Sequence, residues 1–268
     1  MKQITEEALD AAARYGRIID YGEPGTGKTV FGASGCLSPE TSPTLFVDYK
    51  SQVTSLRSMP AYLEAMKDGR LMIVSLDNYA ELDYVYTWLS RGRGSFPSFD
   101  KMMDKYGHAK DVMPKVVTID SVSELQAAEV LRRAGNDIGV FLTDVASPEI
   151  KHWGSLLSQF TLLANLFFQL PYHIVFSGLE AVDYGKHAIG EDPPIVGHRL
   201  HLQGGAQRLF PAYALTVMRL EIAPVNKEGV FNLGYTKSST SSTKEQTGKI
   251  PARIANPTIP KLVAYLNK

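Results

Sequence analysis

The sequence predicts an α/β fold: a mainly parallel sheet with crossover helices and a C-terminal β-hairpin. Three observations predict it. Short apolar runs rich in β-branched residues alternate with segments of helical period. Three of the runs close on a polar residue at the C-terminal end, Asp48, Asp120 and Ser177. The first run leads directly into a glycine-rich turn and then a small-residue helix. With 268 residues the chain has ample length to bury a core, and it reads as a single domain over 1–268.

Taken in order, the first strand is predicted at residues 17–21 (Arg-Ile-Ile-Asp-Tyr). It runs into Gly22-Glu23-Pro24-Gly25-Thr26-Gly27-Lys28-Thr29, which fills every position of the phosphate-loop pattern. Glycines let the backbone turn tightly and aim its N–H groups at phosphate oxygens, and the helix read over 28–36 adds the positive end of its dipole. Lys28 is suited to reach β- and γ-phosphates, and the Thr29 hydroxyl to ligate magnesium. The expected ligands are therefore ATP and Mg2+.

Further strands are predicted at 44–48, 71–76, 115–120 and 172–177, with helices at 81–90, 121–134 and 148–170. Ligands of parallel sheets bind beyond the strand C-termini, so Asp48, Asp120 and Ser177 are expected to face the glycine loop. Asp120 closes the run Val-Val-Thr-Ile-Asp and suits the magnesium water shell, opposite Thr29. Ser177 closes the next run and is placed to sense a γ-phosphate. The 148–170 helix carries Trp153, Leu156, Phe160, Leu163, Phe167 and Leu170 on one face, which reads as core.

Residues 91–114, with Gly92, Gly94 and Pro97, read as an insertion or mobile loop, and the Gly- and Pro-rich 179–211 as a long loop. Strands at 213–222 and 229–235 form the hairpin, and a Ser/Thr tract at 238–243 precedes a short tail.

Composition excludes several classes. The longest apolar candidate, 156–170, is broken by Ser158, Gln159, Thr161, Asn165 and Gln169, so no bilayer span is expected. The start of the chain lacks the apolar core of a signal peptide. Cys36 is the only cysteine, which excludes an intrachain disulfide and suits the cytoplasm; its position on the first helix reads as structural. With 28 basic and 28 acidic residues the net charge is zero, so any DNA contact must be a local patch. Residues 91–115 carry six basic and three acidic side chains, and 227–253 carry five and two, including Lys244. Either could follow a phosphate backbone or be a solvated face. His198 and His201 lack the Cys or carboxylate cluster that would complete a metal site.

The loop G-E-P-G-T-G-K-T, the strands L-F-V-D, V-V-T-I-D-S and I-V-F-S, and the close S-S-T-K-E-Q-T-G-K-I-P-A-R-I-A-N-P together resemble a phage-encoded group of RecA-like ATPases. That group is associated with single-strand annealing and recombination, and the resemblance covers about residues 17–260. It implies a RecA-like P-loop NTPase core that assembles as a homo-oligomer in the host cytoplasm and binds ATP between subunits. It further implies contact with single-stranded DNA, through 135–147 and 179–210, and work with a single-strand-binding or annealing protein. In 179–210, Tyr184, His187, His198 and His201 are the side chains that could stack on bases.

Two positions depart from the group. Its D-x-E after the second strand is here Asp48-Tyr49-Lys50, and a charged lysine cannot take a proton from water. Its K-x-R near the C-terminus is here Lys244-Glu245-Gln246, so only Lys244 remains to reach a neighbour's γ-phosphate. Hydrolysis is then slow or relies on Asp48 or Glu124. The alternatives are a nucleotide-gated assembly module with weak or no hydrolysis, and a phage DNA motor or helicase loader.

Overall fold

The apolar runs pair side by side. A computed structural model describes residues 14–49, 52–109, 111–135, 149–186, 192–223 and 232–268. Strands β1 (Arg17–Gly22), β2 (Thr44–Tyr49), β3 (Leu71–Leu76), β4 (Val116–Asp120) and β5 (His173–Tyr184) are followed by β6 (Ile195–Leu200) and β7 (Thr216–Ile222). The short strands β8 (Asn232–Tyr235), β9 (Lys244–Glu245) and β10 (Arg253–Ala255) close the set. Their order across the sheet is β10-β8-β7-β1-β5-β4-β2-β3. The six strands from β7 to β3 run parallel, while β8 and β10 are antiparallel. β6 pairs antiparallel with the end of β5, and β9 with β7. This is the predicted α/β fold with a mostly parallel, mixed sheet.

Every residue of β2 and β4 is buried, as expected of parallel strands covered on both faces. The covering helices are α1 (Lys28–Ala33), α2 (Pro60–Lys67), α3 (Leu82–Arg91) and α4 (Pro97–Lys105), then α5 (Val122–Arg133), α6 (Ile150–Phe168), α7 (Ala206–Ala212) and α8 (Ile259–Leu266). Alternation along the strands divides the core. Ile18, Val175 and Met218 meet Phe31 of α1 and Leu262 of α8 on one face, and Phe46 meets Tyr62 of α2 there. Ile19, Val117 and Ile174 meet Trp88, Phe99, Leu125, Phe160 and Phe210 of α3 to α7 on the other. Leu156, Phe160, Leu163 and Phe167 of α6 are core, as their spacing predicts, and Cys36 is buried.

The structure differs from the sequence expectation in three places. Residues 97–105, expected within an insertion or loop, form α4. Pro97 opens it where no donor is missed, and Phe99 and Met103, one turn apart, are buried. Residues 179–211, expected as a long loop, hold the outer half of β5, all of β6 and α7. Ser177 is therefore inside a strand rather than at its end, because β6 folds back and supplies partners for Glu180 to Tyr184. The expected tail contains α8, capped by the Thr258 side chain and anchored by Ile259, Leu262, Val263 and Leu266. Lys50, Lys110, His187, the 224–228 connection of the predicted hairpin, the first residues (229–231) of its second strand and most of the 135–147 segment lie outside the described residues. Among the described residues no helix is long and apolar enough to cross a membrane.

Candidate functional site

The segment Gly22 to Thr29 joins β1 to α1 at the C-terminal edge of the sheet. Two of its glycines have no substitute. A Cβ on Gly22 would lie 2.5 Å from the Leu220 carbonyl oxygen. Gly27 caps α1 with φ 89°, a left-handed conformation, and a Cβ there would lie 2.5 Å from Asn232 Nδ2. The loop closes on its own lysine: Lys28 Nζ donates to Gly22 O at 2.9 Å and to Glu23 O at 2.8 Å. Thr26 Oγ1 also donates to Glu23 O, at 2.8 Å. Glu23, Pro24 and Gly25 form the exposed rim.

Beneath this loop the sheet register builds a polar row. Asp20 of β1 is level with Ser177 of β5, Ser177 with Asp120 of β4, and Asp120 with Asp48 of β2. Residues at one level of a parallel sheet share a face. The Thr118 hydroxyl, bonded to Gly32 O at 2.7 Å, identifies that face as the one α1 covers. Two predicted residues 91 positions apart meet here: Thr29 Oγ1 donates to Asp120 Oδ2 at 2.9 Å. Ser177 joins the row, but its hydroxyl donates to Asp20 Oδ1 at 2.8 Å. Asp120 Oδ1 and Asp20 Oδ2 are buried with no hydrogen-bond partner among the described residues.

Burial sets the electrostatics. It pushes Asp120 up to about 6 against the opposing pull of the Thr29 bond and the Lys28 charge; Asp48 and Glu124 add to the rise. Burial likewise raises Asp20 well above the carboxylate range, with the Ser177 bond opposing and the Asp120 charge reinforcing. The Lys28 ammonium is lowered by burial and supported by Asp20 and Asp120. Among the described residues no cluster of three His, Cys, Asp or Glu side chains could hold a metal unaided. The donor set suits a hydrated hard cation instead: the Thr29 hydroxyl as a ligand, and the orphaned Asp120 oxygen as an acceptor for its waters.

Other predicted residues fall elsewhere. Lys244 pairs with Val217 of β7, which is level with Ile19. That is three residues short of Gly22, about 10 Å along the strand, and Lys244 Nζ donates to Ala212 O at 2.8 Å. Within one chain it does not join the glycine loop. Glu124 lies in the first turn of α5, behind the Ser121 cap. In the basic 91–115 stretch, Arg93 pairs with Asp100 and Asp104.

Two groups escaped the sequence reading. Asp20 is one; its signal was a charge inside the otherwise apolar run Ile18-Ile19-Asp20-Tyr21. The other lies on the opposite face of β1. The buried Glu180 carboxylate accepts from His198 Nδ1 and from Arg219 Nε and Nη2, and Arg219 also reaches Glu221. Tyr21 donates from the same face to His198 O or Ser242 O. No protein-family model matches the chain, and no curated protein aligns significantly with it.

Proposed function

We propose that the chain is a RecA-like P-loop ATPase acting on DNA in phage recombination or single-strand annealing. ATP would lie along Gly22 to Thr29, with Mg2+ between Thr29 and Asp120. The contact between Thr29 and Asp120 beneath the glycine loop carries this reading. Nothing in local sequence brings these two side chains together, and their pairing is what a triphosphate-bound cation requires.

In this reading Lys28 exchanges the Gly22 and Glu23 carbonyls for phosphate oxygens. The metal, when bound, neutralises charge on the phosphates. Asp48, level with Asp120 in the buried row, and Glu124 at the head of α5 are the carboxylates that would stand in for the one absent at position 50. The DNA component rests on the resemblance and on the hairpin of β5 and β6. Beyond the same sheet edge this hairpin exposes Tyr184, Ile195 and Val196. Tyr184 and the exposed His201 are then the stacking residues, whereas His198 is committed to Glu180. Lys244, remote from its own loop, would serve a neighbouring subunit in a homo-oligomer. Lys50 and Gln246 favour a second reading, a nucleotide-gated assembly module in which binding closes an interface without useful hydrolysis.

ATP turnover with and without single-stranded DNA, beside Lys28→Ala, tests the proposal. DNA-stimulated turnover, reduced by roughly 100-fold or more in the variant, is the expected result. Binding without turnover would leave the assembly module. Absence of nucleotide binding would overturn both.

A further inference from the structure

Asp20 stands two residues before the glycine loop and is fully buried in β1. Leaving a carboxylate oxygen such as its Oδ2 unpaired inside a protein is unfavourable, and an aliphatic side chain is the ordinary occupant of a doubly covered parallel strand. What Asp20 does contribute is a single directed bond: it takes the hydroxyl proton of Ser177. A serine has only one proton to give. With that proton turned toward Asp20, Ser177 keeps only lone pairs for a further partner beside Asp120, its neighbour in the row. A phosphate oxygen is an acceptor and finds no donor in Ser177 so turned. A water molecule does find an acceptor. With Asp20 ionised the direction of the bond is fixed, because a carboxylate has no proton to donate.

We propose that Asp20 is a positioning residue that makes Ser177 an acceptor for a water beneath the glycine loop rather than a donor to the γ-phosphate. The inference rests on the triphosphate reading of that loop and replaces the sensor role expected for Ser177. The water so held is oriented for attack on the γ-phosphorus. Its oxygen forms the new P–O bond, the bond to the bridging oxygen of ADP breaks, and its proton leaves to one of the carboxylates Asp48 or Glu124.

The experiment combines fluorescent-nucleotide binding with single-turnover ATP hydrolysis in Mg2+, each variant being checked for folding by thermal melting. Asp20→Val is expected to bind nucleotide within about threefold of wild type and to lose roughly 10- to 100-fold in turnover, the scale of a misplaced reactant. Asp20→Asn, whose amide oxygen can still accept from Ser177, recovers most of that loss. Ser177→Ala is as slow as Asp20→Val, and the double variant is no slower than either single one. Wild-type turnover in Asp20→Val overturns the proposal, as does a double variant slowed by the product of the single effects. If Asp20→Val fails to fold, wild-type turnover in Ser177→Ala is enough to overturn it. Binding without turnover in the wild type overturns this inference alone, whereas no nucleotide binding at all sinks the triphosphate reading beneath it.

Discussion

Asp20 and Tyr21 are neighbours in β1, and the pleat sends them to opposite faces of the sheet, into opposite kinds of polar surroundings. Tyr21 enters a network in which both Glu180 oxygens are paired, one with His198 and both with Arg219. Asp20 enters a row in which its own Oδ2 and Asp120 Oδ1 have no partner among the described residues. Paired buried charges hold structure, since removing either partner strands the other. Unpaired ones are expensive to keep, and such groups concentrate where a ligand completes them. One strand thus separates a paired polar cluster from the unpaired row on which the proposed site is built.

Breaking the paired side has the largest expected effect. Arg219→Met strands the Glu180 carboxylate, whose side chain is 1% exposed, and should destabilise the fold by about 3 kcal/mol or more in urea unfolding. Nucleotide affinity of the folded fraction should stay within about twofold. Loss of affinity with unchanged stability would reverse the roles assigned to the two faces.

Titration gives two further tests, because burial favours the neutral form of a histidine and of an aspartate alike and so shifts stability with opposite signs in pH. His173, at the far end of β5, accepts the Gly16 N–H at 2.9 Å, and burial lowers its pKa to about 4. An unfolded histidine titrates near ~6.5, so its contribution is complete above that pH and is lost as pH falls through 4. The loss approaches about 3 kcal/mol, and a His173→Gln variant should lack that slope.

Asp120 behaves in reverse. Its folded value of about 6 lies above the ~3.9 of an unfolded aspartate, so its contribution is present in acid and is lost as pH rises through 6. Asp120→Asn should therefore be more stable than wild type at neutral pH, by about 3 kcal/mol, with the gain vanishing near pH 4 and ATP turnover abolished. A variant that is less stable at neutral pH would show that Asp120 Oδ1 has a partner. The smallest effect belongs to Tyr21→Phe, which removes one donated hydrogen bond at the paired site. It should cost about 1 kcal/mol and leave turnover unaltered.

Legibility followed the range of the interactions. Strands β1 to β4 and helices α3, α5 and α6 were readable to within a few residues, because their signals are periodic and local. So was the loop Gly22 to Thr29, because its pattern occupies contiguous positions. Gly92 and Gly94 masked α4, whose start depends on Pro97 and whose stability comes from Trp88 stacking on Phe99. Gly185 and Gly197 masked the β5 and β6 hairpin, which exists through antiparallel pairing and carries a broken alternation.

Sequence alone determined the α/β class and the order of its central elements, and singled out Lys28, Thr29 and Asp120 as candidate site residues. Each of these follows from composition, period or spacing within one segment. Tertiary structure decided which side chains meet. Only the register of β1, β5 and β4 brings Asp20 to Ser177 and lines both up with Asp120, across chain separations of 157 residues for the first pair. Only the pairing of β9 with β7 takes Lys244 away from its own loop. Register is set by which apolar faces pack together over the whole sheet, and no local pattern carries that information.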